Sequence, residues 1–257
     1  MKYGADDYKR FLGFPDNYSV DGLLACGVWD LSAEEKHMPH LIAALNAKKI
    51  QYKLTRFDKK DIGHGYELVI ADKIYWFVPV MGTAVMSVYI HMASIFGSKR
   101  NILLGSAGGL APGMKSGDFI IPSSSIGNDN ARMYDRSNKL NVYKPDSALF
   151  NDLKSKLTGN YKVWEGVTAT CEILLAETQD DIDGWSKEGI LGVEMEAAIF
   201  FAASKYFRIP AVSLLFAADN LIEDQSFLSD EYKKSKEERN LIRQQQYVIG
   251  LDLLINS

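Results

Sequence analysis

The chain has 257 residues, 47% hydrophobic and 24% charged, the make-up of an ordinary globule with enough apolar mass for a sizeable core. Its 29 Lys and Arg against 33 Asp and Glu give a formal net charge of −4 with no strong basic cluster, which argues against a nucleic-acid partner. Cys26 and Cys171 sit far apart in apolar segments and read as reduced thiols, unlike a disulfide framework or a zinc site, so the expected compartment is the cytoplasm. The longest apolar runs, such as 209–218, are too short to span a bilayer, and the first residues lack a cleavable apolar segment, so no membrane association is expected.

In chain order, β-branched and aromatic runs predict strands over 22–26, 66–70, 74–80, 101–104, 118–121 and 211–216, with a further strand ending at Val193. Helical patterns cover 36–47, 85–96, 147–157, 197–206 and 241–255. The alternation predicts an α/β fold of three layers, a central mixed β-sheet flanked by helices. Residues 227–243 are rich in charge and read as a solvated helix or a flap. No repeat, low-complexity tract or linker divides the chain, and one domain over 1–257 is expected.

The most informative stretch is 192–198, where Glu194 and Glu196 flank Met195 at a strand-to-helix turn inside a run otherwise fit for burial. A buried charge is costly unless something binds it, and in open α/β sheets ligands bind at such turns. Gly27, Gly82 and the run 105–109 follow strand ends, where backbone can approach a ligand. Gly105 and Ser106 open a loop whose N–H groups and hydroxyl make a candidate anion cradle, the alternative being a tight connection. Asp219 directly follows an apolar strand; desolvation there suits a proton donor to a leaving group, and the alternative is a cap for the next segment. Trp29, Met81 and Met86 read as core, and Glu34 and Glu35 as exposed charges in a first helical turn. His37 and His40 lie near one helical turn apart, but Pro39 interrupts that turn, and no bound metal is expected.

Three motifs, at 105–112, 115–121 and 189–198, together resemble the nucleoside phosphorylase superfamily. The first is most similar to methylthioadenosine/S-adenosylhomocysteine nucleosidases, and Val-Glu-Met-Glu to hexameric purine nucleoside phosphorylases. The resemblance implies cleavage of the N-glycosidic bond of a purine nucleoside through an oxocarbenium-like sugar. It assigns Glu196 to the 2′- and 3′-hydroxyls, Met195 to packing on the sugar, and Glu194 to a supporting acceptor role. Asp219 is assigned to purine N7, aided by Arg243, with Arg239 as the alternative. Gly27, Gly105 and Ser106 would hold phosphate or water, and Leu174 and Leu175 would line an aliphatic base pocket.

No cofactor is implied beyond inorganic phosphate as co-substrate, and the partners are a small-molecule nucleoside and further copies of the chain in a dimer, trimer or hexamer. The chain departs from the phosphorylase pattern in two places. Residues 27–31 lack the Gly-Asp-Pro-x-Arg loop, and Leu103-Leu104 stand just before Gly105 where phosphorylases have an arginine. Nucleosidases lack both arginines too and activate a water, for which Asp30, Glu34 and Glu35 are candidates. Phosphorolysis is expected, with hydrolysis and a non-catalytic nucleoside-binding or storage role as alternatives. Arg56, Lys59 and Lys60 are candidates for a cation donated to a neighbouring subunit.

Overall fold

The computed structural model describes the chain except residues 1–2, 29–32, 58–61, 128, 158, 160, 224–229, 231, 233–234 and 257, and the side chains of 33–35. Trp29, Asp30, Lys59, Lys60, the side chains of Glu34 and Glu35, and part of the segment 227–243 therefore lie outside the described residues.

The elements run α1 (Ala5–Leu12), β1 (Gly22–Gly27), α2 (Ala33–Ala47), β2 (Lys53–Arg56), β3 (Tyr66–Ile70), β4 (Lys73–Val80), α3 (Gly82–Ile95) and β5 (Asn101–Gly109). They continue with β6 (Phe119–Ile126), α4 (Asp129–Arg132), β7 (Val142–Tyr143), α5 (Ser147–Lys156), β8 (Val163–Thr170) and α6 (Gln179–Lys187). The last are β9 (Gly192–Glu194), α7 (Ala197–Phe207), β10 (Ala211–Asn220) and α8 (Lys236–Ile255).

β1 lies between β4 and β5, parallel to both, which covers its two edges and leaves its two faces to the helices. Alternation does the sorting. Leu23 and Ala25 join Met86 and Ile90 of α3 and Phe200 of α7 on one side, while Leu24 and Cys26 join Leu41 of α2 and Tyr247 and Leu251 of α8 on the other. The result is the expected central mixed sheet with a helical layer on each face. Beyond β4 the sheet continues antiparallel through β3 to β2, its edge strand, where Arg56 is exposed. On the other side β5, β10, β6, β8 and β9 pair in a closed circuit.

β6 continues past the predicted 121 to Ile126, and two more strands also run further than the sequence pattern predicts. The glycine-rich run expected as a loop after 101–104 is strand, and β5 continues to Gly109. β10 likewise extends through Asp219 to Asn220, paired with Gly108 and Gly109 across a bulge at Ala218. Glycine permits this: a Cβ on Gly109 would stand 2.8 Å from the Asp219 carbonyl oxygen. The same pairing has a functional consequence. β1 accompanies β5 only as far as Leu104, and β9 joins it only at Gly108, so among the described residues the edge of β5 between them has no strand neighbour. That gap opens at the carboxyl end of β1, where α/β sheets take ligands. No helix among the described residues is long and apolar enough to cross a membrane.

Candidate active site

Glu194 ends β9 and Glu196 immediately precedes α7, and both carboxylates are buried. Their surroundings differ. Glu194 Oε2 accepts from the backbone N–H groups of Glu196 and Ala197, both at 2.6 Å, which satisfies donors that the first turn of α7 would otherwise leave unpaired. Its Oε1 accepts from the hydroxyls of Thr170 at 2.5 Å and Ser125 at 3.2 Å. Four protein donors occupy this carboxylate, so the sugar-acceptor role expected for Glu194 is corrected: it braces the turn that carries Met195 and Glu196.

Glu196 projects toward the gap. Its Oε1 accepts from the Gly82 N–H at 2.6 Å, and Oε2 lies against Gly27, where a Cβ would stand only 2.5 Å away. Glycine at position 27 is thus needed for space. Burial, and then the neighbouring Glu194 charge, push the Glu196 carboxyl up to about 8, against the lowering effect of the Gly82 and Met195 N–H groups. Such a group gains from hydroxyl donors when ionised. Met195 lies over Gly82, its Cε 3.9 Å from where a Gly82 Cβ would be.

Beside Gly27 a cavity of about 500 Å³ has Gly27, Gly105, Ser106 and Phe216 among its lining residues. The expected acceptor residues therefore meet, although on a strand edge instead of a loop. Gln246 of α8 fixes this floor, its Nε2 donating to the carbonyl oxygens of Gly105 and Leu214, each at 2.7 Å. α2 is fastened to α8 by His37 Nδ1, 2.9 Å from the Tyr247 hydroxyl and 3.1 Å from Cys26 Sγ, and by His40, 3.3 Å from the Gln244 amide oxygen. The two histidines thus tie helices together, and α2 runs through Pro39. Among the described residues no group of three or more His, Cys, Asp or Glu side chains is arranged to hold a metal.

Asp219 is buried near the end of β10, and Ser116 donates to the preceding carbonyl of Ala218 at 2.7 Å. Its expected partner is corrected. Arg243 lies 5.4 Å from the Phe216 ring centroid and 3.4 Å from Asn240 Oδ1, and no ion pair joins it to Asp219 among the described residues. The buried Arg239 lies in the field of both Arg243 and, less strongly, Asp219, and it donates to the Tyr232 carbonyl at 2.7 Å. Leu175 also departs from expectation, while Leu174 is partly buried. The two form a short 3-10 turn beyond β8, and Leu175 is 91% exposed, with no apolar element among the described residues packed over it. Met86 is fully buried as expected, whereas Met81, at the start of α3 beside the Glu196 contact, is 40% exposed.

The sequence reading missed Gly82 as a Glu196 donor, Thr170 and Ser125 as Glu194 donors, and, although it named Arg239 and Arg243, the other α2 and α8 side chains around the cavity. Only the last left a signal, the 3-4-3 spacing of Lys236, Arg239, Arg243 and Gln246.

A family model described as the phosphorylase superfamily matches residues 37–250. The DeoD-type purine nucleoside phosphorylase of Thermoanaerobacter sp. (strain X514) is 29% identical over 162 residues, covering 60% of this chain and 67% of that protein. The DeoD-type enzyme of Clostridium beijerinckii (strain ATCC 51743 / NCIMB 8052) is 26% identical over 184 residues, covering 68% and 71%. In fold, the chain is similar to uridine phosphorylase from Vibrio fischeri ES114 in complex with 6-hydroxy-1-naphthoic acid, with a TM-score of 0.75, 15% identity and 96% of each chain covered. With a family match over most of its length, this chain belongs to the phosphorylase superfamily. It is accordingly an enzyme of the nucleoside phosphorylase type, a pentosyltransferase.

Proposed function

We propose that the chain, as a single domain in a cytoplasmic homo-oligomer, splits a purine nucleoside by phosphorolysis into free base and ribose 1-phosphate. The observation that carries this reading is the Glu196 carboxylate, buried between Gly27 and Gly82 and directly beside the acceptor cavity. A nucleoside whose 2′- and 3′-hydroxyls donate to Glu196 would present C1′ toward Ser106 and its base toward Asp219. A phosphate oxygen then bonds to C1′ as the C1′–N bond breaks, and the electron pair of that bond leaves with the base. Asp219 gives the base a proton at N7, and the proton shed by hydrogen phosphate restores the acid by way of solvent. Glu196, ionised against the cationic sugar, stabilises the transition state more than the ground state.

A carboxyl donor facing N7 favours a purine over a pyrimidine, in line with the names of the curated relatives. Chromatography of base released from inosine, guanosine, adenosine, methylthioadenosine and uridine tests the substrate class. Release from the purine nucleosides with uridine untouched is expected. Preferential cleavage of uridine would overturn the purine assignment, and no release from any of the five would favour a binding protein.

A further inference from the structure

The cleft beside Ser106 is cationic in a chain of net charge −4: Lys36, Lys236, Arg239 and Arg243 are among its lining residues, and no Asp or Glu is among those described. On α8, residues 236, 239, 243 and 246 are spaced three, four and three apart and so share one helical face. Gln246 fixes that face to Gly105 at the cavity floor, which sets Arg243, one turn earlier, over Phe216. Arg243 is half-buried, and its polar contact is a neutral amide. Among the described residues no carboxylate pairs with this guanidinium, and an anion in the cavity would supply a counter-charge. Lys36 enters from the α2 wall of the same cavity.

Building on the phosphorolytic reading above, we propose that Arg243 and Lys36, with Ser106 at the floor, hold the phosphate acceptor in place of the two arginines missing near Gly27 and before Gly105. Arg243 then serves the acceptor, while Arg239, which shares its surroundings with Asp219, is left on the leaving-group side. Guanidinium suits the task because it can give two parallel hydrogen bonds to phosphate, and Lys36 adds a point charge at the rim.

Calorimetric titration of inorganic phosphate into nucleoside-free protein tests the site without requiring turnover. Loss of a charge-assisted bond predicts weaker phosphate binding by about 10- to 100-fold in Arg243→Gln, a smaller loss in Lys36→Gln, and partial recovery in Arg243→Lys. In steady-state assays the same variants should raise the phosphate KM while leaving the nucleoside KM within about twofold, since a lost acceptor contact does not touch the sugar. Wild-type phosphate affinity in Arg243→Gln would overturn the proposal. So would a fall in kcat at saturating phosphate with an unchanged phosphate KM, which would return Arg243 to the leaving group. If phosphate binds through Arg243 but no nucleoside is cleaved, the anion site stands and the reaction assignment fails. If base is released without phosphate and phosphate does not bind, the anion site fails and glycosidic cleavage stands.

Discussion

Replacing Glu196 by Gln should make the ligand-free protein more stable and the enzyme worse. The Glu196 carboxyl lies at about 8 in the fold against an ordinary 4.5, because burial and the Glu194 charge oppose ionisation. At about 1.4 kcal/mol per pH unit, that displacement makes the ionised form about 5 kcal/mol less favourable in the folded than in the unfolded chain. The sign follows from the raised value. Below pH 4.5 both states are protonated and the stability is fully present; between 4.5 and 8 the unfolded chain ionises first and stability falls; above 8 the loss is complete.

Gln carries no titrating proton and keeps an oxygen for the Gly82 N–H, while Glu194 is common to both proteins. Thermal unfolding from pH 5 to 9 at constant ionic strength, without phosphate or nucleoside, should give similar midpoints at pH 5. A gap favouring Glu196→Gln should then widen to about 10–20 °C at pH 9. Loss of the anionic acceptor for two sugar hydroxyls should lower kcat/KM by about 100-fold. Parallel midpoint curves across this range would refute the claim that Glu196 is held in an environment hostile to its charge.

Further outcomes follow from the same contacts. Glu194→Ala strands the N–H groups of Glu196 and Ala197 and two hydroxyls, so denaturant unfolding should show a loss of about 3 kcal/mol or more, with Glu194→Gln recovering part. Gly27→Ala drives a methyl group to 2.5 Å from Glu196 Oε2, and steady-state kinetics should show a nucleoside KM raised by about tenfold in a protein whose circular dichroism is unchanged. Asp219→Asn should lower kcat on inosine by about 100-fold or more, yet leave turnover of a nucleoside already alkylated at N7 nearly unchanged, because that base needs no proton to leave. Equal losses on both substrates would argue against proton donation.

The sheet was legible because its central strands are uninterrupted apolar runs, and α7 because Ala197 to Phe201 can only be buried. The Glu-Met-Glu turn announced itself as two acids in apolar surroundings, and the family resemblance singled out Glu196 for the sugar, but the residue types alone do not say which of them braces the turn. That choice depends on Thr170 and Ser125, which β8 and β6 bring from far along the chain. The extent of β5 was hidden because glycine is a poor strand former in isolation, and its place is set by the close approach of β10. Leu175 misled for the opposite reason: an apolar residue implies burial only if something packs over it, and here nothing among the described residues does. The role proposed for Arg243 depends on the docking of α8 through Gln246, whose spacing puts it on the face of Arg243 but gives no sign of its bonds to Gly105 and Leu214.

The central claim is that phosphate is the acceptor for a purine nucleoside. The most direct measurement follows base release from inosine at increasing phosphate, with the sugar product identified. Release should require phosphate and yield ribose 1-phosphate in equal amount to base. Release at the same rate without phosphate, giving free ribose, would contradict it.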